Sequence, residues 1–174
     1  MKRTIIFLFI LLVAKELNAQ MILAPNKKFV SELDSSAYIV KEYPEISQSV
    51  LYARVKQYIV QTYNSPKTVL SENSPTSISI FGVETYNGLL VNHIFTYKIV
   101  FTFKESKVKI DVSLVSLEIS EGRIVMGEVV IFDSHGKVRK IVKKLVESCN
   151  NTINGVINGV DTSIKNAGST NDNW

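Results

Sequence analysis

The chain has 174 residues, 45% of them hydrophobic, with a formal net charge of +4 and a single cysteine. Charged residues among the first nineteen carry +2 of that charge, and the +2 that is left is too small to indicate nucleic acid, which selects a dense basic face. One cysteine excludes an internal disulfide. The remaining stretch of about 155 residues is long enough for one domain with a buried core.

The first twenty residues predict a secretory signal peptide, residues 1–19. Two basic residues open the chain, residues 5–14 are unbroken apolar sequence, and Ala19 is a small residue suited to cleavage. The apolar run is shorter than the roughly 20 residues that span a bilayer. A lipoprotein would carry a cysteine at the cleavage point, where this chain has Gln20. We therefore expect a protein exported to the periplasm or the extracellular space, not a lipoprotein and not membrane-spanning after cleavage.

The next residues lead into a single predicted domain, residues 37–165. Residues 20–36 show no hydrophobic period and are interpreted as a mostly loose lead-in. The β-prone residues 37–43 precede a proline and predict a first strand. At the other end, the Asn- and Ser-rich residues 166–174 predict a disordered tail.

Residues 47–63 predict the first helix. Ser47 can accept a hydrogen bond from an unpaired N–H group of the first turn, and Pro66 follows the last turn, where it cannot continue a helix. Apolar residues recur at helical spacing and form one face. These residues are Leu51, Val55, Tyr58 and Ile59.

A series of strands follows the helix: residues 68–72, 77–85, 92–103, 108–119 and 124–132. The third of these alternates most clearly, with apolar side chains on one side and Thr96, Lys98 and Thr102 on the other. In the fourth strand the alternation changes phase near Leu114 and Val115. The even-numbered apolar residues from 108 to 114 and the odd-numbered ones from 115 to 119 cannot face one core without an irregularity. We expect a β-bulge or kink at that point.

A second helix is predicted over residues 136–164, with a long apolar stripe. Cys149 lies on this stripe, which favours a buried and unreactive thiol because free cysteine packs like a small hydrophobic residue. The G-x-x-x-G at 155–159 is interpreted as a site of close packing. The Asn-Asn-Thr of residues 150–152 matches a glycosylation sequon, but we give the match no weight because the motif is short.

The order of elements, β-α-β-β-β-β-(β)-α, predicts an α+β fold of two layers. An antiparallel meander of about five strands with one apolar face must cover that face, and two amphipathic helices can do so. Such an arrangement resembles helix-grip folds, in which a curved sheet packs around helices.

One segment resembles a known family. The pattern S-x-x-x-L-Y-x-x-x-x-x-Y-I-x-x-x-Y-x-S-P at residues 47–66, with the strand spacing up to Leu117, is similar to exported proteins of unknown function from Gram-negative bacteria. That family has a TATA-binding-protein-like (TBP-like) fold, and the resemblance covers roughly residues 38–117. It implies this fold and no catalytic residues. The chain departs from the family at Tyr58, often Trp there, and at residues 105–107, where an Asp-Gly turn and an Arg-rich strand start are common.

Polar residues form no recognisable catalytic or metal motif, and we predict no cofactor. His93 and His135 are the only histidines, and a His-rich metal site normally uses two or three with carboxylates. His93 has no ligand-type neighbour at i+2 or i+4 and His135 lies in a turn, so a strand-end and a surface-loop histidine are favoured over a metal site. Residues 133–135, Asp-Ser-His, contain the residue types of a triad, but adjacent side chains on a turn point apart, and capping of the following helix by Asp133 or Ser134 explains them. The carboxylates of residues 118, 121 and 128 fit a solvated strand face.

Aromatic residues supply the candidate ligand or partner surface. Tyr52 and Tyr63 lie beside the apolar face of the first helix and could border a groove, since tyrosine offers flat apolar area with a hydroxyl group. The aromatic face of the strongest strand could line a pocket between sheet and helices. Its members are Phe95, Tyr97, Phe101 and Phe103.

Three hypotheses about function remain open. The first is an exported, non-catalytic module that binds a protein or an envelope component. The second is a carrier of a small apolar ligand, held over the aromatic strand. The third is an enzyme whose site residues the sequence does not connect. Nucleic acid is not an expected partner of any of them.

Overall fold

The computed structural model describes residues 19–63, 70–87, 91–121 and 124–167. Residues 1–18 of the predicted signal peptide, the proline after the first helix and most of the predicted tail lie outside these residues. The elements, in chain order, are β1 Met21–Leu23, β2 Phe29–Ser31, β3 Tyr38–Glu42, α1 Gln48–Thr62, β4 Leu70–Ser74, β5 Ser77–Asn87, β6 Asn92–Lys104, β7 Lys107–Glu121, β8 Ile124–Glu128 and α2 Lys143–Asn166. A single 3-10 turn, Lys140–Val142, leads into α2.

The main sheet has the order β3-β7-β6-β5-β4, with every neighbouring pair antiparallel. β8 pairs with the far end of β7. Both helices pack against the same face of this sheet, which confirms the predicted α+β architecture of a meander covered by two helices. No helix within the described residues is both long enough and apolar enough to cross a membrane.

The position of helix α1 follows from its N-cap residue and from the spacing of its apolar residues. The Ser47 hydroxyl accepts a hydrogen bond from the backbone N–H of Val50, which satisfies one donor of the first turn. Leu51, Val55 and Ile59 recur every four residues and are fully buried. The predicted helix is confirmed to within one residue at each end.

Strand β6 supplies the centre of the core. Its inward side chains alternate with outward ones, and each inward side chain is at most 1% exposed. These residues are Phe95, Tyr97, Ile99, Phe101 and Phe103. Gly82 pairs with Tyr97 across β5 and β6, and a Cβ atom there would overlap the Tyr97 ring. The glycine is therefore required by the close approach of the ring.

The predicted bulge in β7 is confirmed. Thr96 pairs with Ser116 and Tyr97 pairs with Leu114, so Val115 is the extra residue without a partner on β6. Val115 is 55% exposed, and Leu117 beyond it returns to the core. The bulge brings Leu117 to the same side of the strand as Val108, Ile110 and Val112, while Val115 itself stays exposed.

The lead-in differs from the prediction, because residues 21–31 form a hairpin with a buried face. Met21 and Phe29 are fully buried, and β1 pairs with β2. These two strands could not be predicted from the sequence, because each has only three residues, too few to show an alternation of apolar and polar side chains.

Two side chains of α2 hold this hairpin. Asn154 accepts from the Met21 N–H at 2.8 Å and donates to the Met21 carbonyl, while Asn150 accepts from the Leu23 N–H at 3.0 Å. The spacings match, since four helical residues rise about 6 Å and two strand residues about 6.6 Å. Asn150 is the residue of the sequon that would carry a glycan, and its side chain is therefore already hydrogen-bonded within the fold.

Helix α2 begins later than predicted, at Lys143 rather than near Gly136. Gly136 has a φ of +73°, and an isolated bridge joins Phe132 to Val138 across the turn. Asp133 closes that turn by accepting from the N–H groups of His135 and Lys137. The proposed helix capping by Asp133 or Ser134 is therefore wrong, because the apolar residues after the turn belong to a bridge and not to the helix.

The second half of α2 packs closely at one of its two glycines. A Cβ atom on Gly159 would overlap the Tyr58 side chain of α1, whereas nothing lies within 4 Å of a Cβ atom on Gly155. Nearby, Asp161 accepts from the Tyr43 hydroxyl at 2.8 Å and lies 3.9 Å from Lys41 Nζ. These contacts tie α2 to α1 and to the end of β3.

We expect Gly82→Ala to lower the free energy of unfolding by about 1 to 3 kcal/mol, because the buried Tyr97 ring must shift. Gly155→Ala is the control and should raise it by up to about 1 kcal/mol, since alanine is the better helix former. Denaturant unfolding of the three proteins measures both values. Equal stability of Gly82→Ala and the parent chain would contradict the packing at Gly82.

Asn154→Ala should lower the free energy of unfolding by about 1 to 3 kcal/mol, because the Met21 N–H loses its acceptor. Asn158→Ala, one turn further along α2 at an exposed position, is the matched control. We expect it to change stability by no more than about 0.5 kcal/mol. Similar losses in both variants would mean that the amide side chain of Asn154 does not hold the hairpin.

Candidate functional site

The four strand aromatics that the sequence offered as a ligand or partner surface are core residues. Phe95, Tyr97, Phe101 and Phe103 are each at most 1% exposed, and the rings of Phe95 and Tyr97 stack with centroids 5.0 Å apart. A cavity able to hold even a water molecule would expose part of its lining. These side chains therefore present no surface to a partner, and the predicted lining of a carrier pocket is packed.

The two helix tyrosines have different surroundings. Tyr52 borders a surface depression of about 650 Å³, and its hydroxyl donates to Glu72, which raises the pKa of Tyr52 to about 12. Lys56 also pairs with Glu72, at 2.9 Å. Tyr63 is half-buried and hydrogen-bonded to Tyr97, and burial raises its pKa. The polar groups around Tyr52 are thus paired with one another.

The surface that stands out lies on the other side of the sheet. We use the term open face for the side of the sheet that points away from both helices. Pairing register and alternation place outward side chains from four strands, β3, β5, β6 and β7, on this face. Its central members are Tyr38, Val40, Phe81, Val83, Lys98, Val100, Thr102, Lys104, Lys107, Lys109 and Asp111.

Large apolar side chains on the open face are exposed to solvent. Tyr38 and Val40 on β3 are 44% and 48% exposed, and Phe81 and Val83 on β5 are 43% and 63% exposed. Exposed apolar groups that share one face, flanked by charged side chains, are typical of interaction sites, whereas single scattered ones are not.

Lysines lie against both aromatic rings of the open face. Lys109 Nζ is 5.1 Å from the centroid of Tyr38, and Lys98 Nζ is 5.1 Å from the centroid of Phe81. Each ammonium group is attracted by the negative face of the ring beneath it. Each cation therefore lies over one face of its ring, close enough for one ligand to contact both the cation and the rest of the ring.

A groove of about 470 Å³ opens at the β3 end of this face. Tyr38, Val40, Thr102, Lys104, Lys107 and Lys109 line it, and we call it the lysine groove. Lys107 pairs with Glu42 at 2.8 Å, and Lys109 pairs with Asp111 at 3.0 Å. The hydrogen bond from Lys107 lowers the pKa of the Glu42 carboxyl.

The sequence reasoning missed this site, although it recorded one side of it. Alternation places Thr96, Lys98 and Thr102 on the outward side of the strongest predicted strand and assigns them no role. The signal that could have found the site is the second alternating strand, in which Tyr38 and Val40 point the same way as those residues. Recognising it requires knowing that β7 lies between β3 and β6.

The residues considered for catalysis form no triad, although Ser134 Oγ lies 3.3 Å from His135 Nδ1, so the expectation that these two side chains point apart is wrong. The Asp133 carboxylate accepts from backbone N–H groups and not from the His135 ring, so the residues of this turn do not form a relay. Glu118 is paired in register with Glu128, whose carboxylate binds Lys27 at 3.1 Å. Across the described ranges, no group of three histidine, cysteine or acidic side chains could hold a metal ion.

Comparisons with known proteins agree on the fold. The chain is similar to a TBP-like protein from Parabacteroides distasonis, with a TM-score of 0.58 and 11% identity over 74% of this chain and 91% of that one. It is also similar to a DUF4468 family protein from Bacteroides ovatus, with a TM-score of 0.55 and 12% identity over 79% and 87%. No family model and no curated protein matches the sequence.

These two neighbours define the class of the chain as an α+β protein of TBP-like fold. Both are bacterial proteins of unknown function, as the resemblance of residues 38–117 implied. At such low identity the likeness establishes the fold alone, and the open face has to be interpreted from its own residues.

Cys149 is buried, as predicted, with no exposed surface. Burial raises the pKa of its thiol to about 12. Because the thiolate is the reactive form, we expect Ellman's reagent to leave the folded protein unmodified at about pH 8 and to modify one thiol after unfolding in guanidinium chloride. Rapid modification of the folded protein, at the rate of a free cysteine, would contradict the burial of Cys149.

Proposed function

We propose that this chain is an exported, non-catalytic binding module that binds a component of the bacterial envelope through the open face of its sheet. The observation that carries the proposal is the exposure of Tyr38, Val40, Phe81 and Val83 on one face that neither helix covers. The four side chains form two pairs, one on β3 and one on β5, with β7 and β6 between them. A protein in contact with water has little reason to keep two such pairs on one face unless a partner covers that face.

Export is supported by the leader pattern of the sequence, with its basic start, apolar run and small residue at position 19. The two structural neighbours support a bacterial source for this fold. The second hypothesis, a carrier of an apolar ligand, has lost its main support because the aromatic side chains of β6 are packed and not exposed to a cavity.

The proposal is tested with a double substitution on the open face, Phe81→Ser with Val83→Ser. We expect the mature chain to sediment with washed envelopes from its own source organism, and the double variant to bind roughly tenfold more weakly, because apolar anchors dominate such interfaces. The amount of protein in the pellet, measured over a range of envelope concentrations, gives the affinity.

The matched control is Val50→Ser with Val60→Ser on α1, whose side chains are 40% and 48% exposed on the opposite layer. This variant removes a comparable apolar area but should bind as the parent chain does. Melting temperatures confirm that each variant is folded. Equal loss of binding in both variants, or none in either, would contradict a site on the open face.

A further inference from the structure

The lysine groove has a chemistry more specific than the face around it. We propose that it binds an acidic sugar unit of an oligosaccharide, with the carboxylate between Lys104 and Lys107 and the sugar ring against Tyr38. The inference rests on the proposed function, because it names the envelope component that the open face would bind.

The first argument is an unfavourable pair of charges that an anion would relieve. Lys104 and Lys107 are directly opposite each other on β6 and β7 at the end of the sheet. Like charges at directly opposed strand positions destabilise a sheet, because the Cβ atoms are only about 5 Å apart. A carboxylate held between the two ammonium groups would convert this repulsion into two charge-assisted hydrogen bonds.

The second argument is that the protein neutralises the groove incompletely. Glu42 pairs with Lys107 and Asp111 pairs with Lys109, but no acidic side chain among the described residues lies within 4.0 Å of Lys104. Glu105, the nearest acid along the chain, accepts a hydrogen bond from the backbone N–H of Gln48. Since an ammonium group has three donors, the paired lysines also retain donors for a ligand.

The third argument concerns the shape and polarity of the lining. Tyr38 provides a flat apolar surface beside the lysines, Val40 extends it, and Thr102 adds a hydroxyl group that can donate or accept. A sugar ring has apolar C–H groups on its face and hydroxyl groups at its edge, so it matches both kinds of lining. The volume of about 470 Å³ lies within the range of small-ligand sites, roughly 300 to 1,000 Å³.

The composition of the groove also argues against two other partners. Protein interfaces are depleted of lysine, especially at their buried centres, whereas three lysines line this groove. Nucleic acid would require a dense basic face, but Glu42 and Asp111 interrupt this one. A compact anionic ligand with an apolar ring face satisfies both observations.

The experiment compares two probes with the same number of sugar units. They are tri-galacturonic acid and its fully methyl-esterified form, which carries no charge. We expect titration calorimetry or NMR shift mapping to detect binding of the acid but not of the ester. The affinity should fall as salt is added, because exposed charges are screened. Lys104→Gln should weaken binding roughly tenfold and Lys104→Arg should largely restore it.

Tyr38 separates a sugar site from simple attraction of an anion. Tyr38→Ser should weaken binding of tri-galacturonate roughly fivefold, while Tyr38→Phe should bind as the parent chain does, because the ring and not the hydroxyl makes the contact. Lys144→Gln, at an exposed position on α2, is the matched charge control and should leave binding unchanged. Melting temperatures of all variants exclude unfolding as the cause.

Four results would overturn the inference. They are equal binding of the methyl ester, equal binding of a tetraglutamate peptide, binding that does not depend on Lys104 or Tyr38, and no binding of the acid at all. If the last result occurs while the envelope assay still depends on Phe81 and Val83, the acidic sugar is wrong and the proposed function stands. If binding to envelopes is also independent of Phe81 and Val83, the acidic-sugar site and the proposed function are both wrong.

Discussion

The rest of the molecule depends on the burial of one side of β6. Its inward aromatic and aliphatic side chains lie beneath both helices and between the two long neighbouring strands, and each contributes about 1.5 to 3 kcal/mol by leaving water. Because side chains alternate along a strand, this burial also determines that Lys98, Val100 and Thr102 point the other way. Two helices cover one face, and the other remains available to a partner.

One edge of the sheet, formed by β3 and the part of β7 beyond it, is protected by contacts that the core does not supply. β3 is an edge strand, and its Lys41 points inward, where it lies 3.9 Å from Asp161 of α2. An inward charge on an edge strand discourages pairing with another chain, because a new strand would have to accommodate that side chain. The remaining length of β7 is covered by a bridge from Lys28 and by β8. The open face is thus exposed while the edge beside it at β3 and β7 is partly closed.

Much of the fold could be predicted because it follows from local signals. The cap at Ser47, the alternation of β6 and the change of phase at Val115 each lie within one segment of sequence. The hairpin of residues 21–31 could not be predicted, because it depends on contacts with distant residues. The late start of α2 has a different cause: the turn at Asp133 and the bridge from Phe132 to Val138 occupy residues whose apolar spacing also fits a helix. Asn154 bonds to Met21 across 133 positions, and no local pattern reports such a contact.

The candidate site was harder to predict than the fold for a related reason. Its residues come from strands that are adjacent in space but not in sequence, since β7 lies between β3 and β6. Alternation along β6 places Tyr97 in the core and requires only that the side chains on either side of it can face water. The pattern therefore says little about which outward side chains are charged, apolar or aromatic. Proteins can therefore share this fold at 11% identity while their open faces differ. The exposed lysines and aromatic rings of this chain must be interpreted as properties of its own site, because they are not part of the buried core.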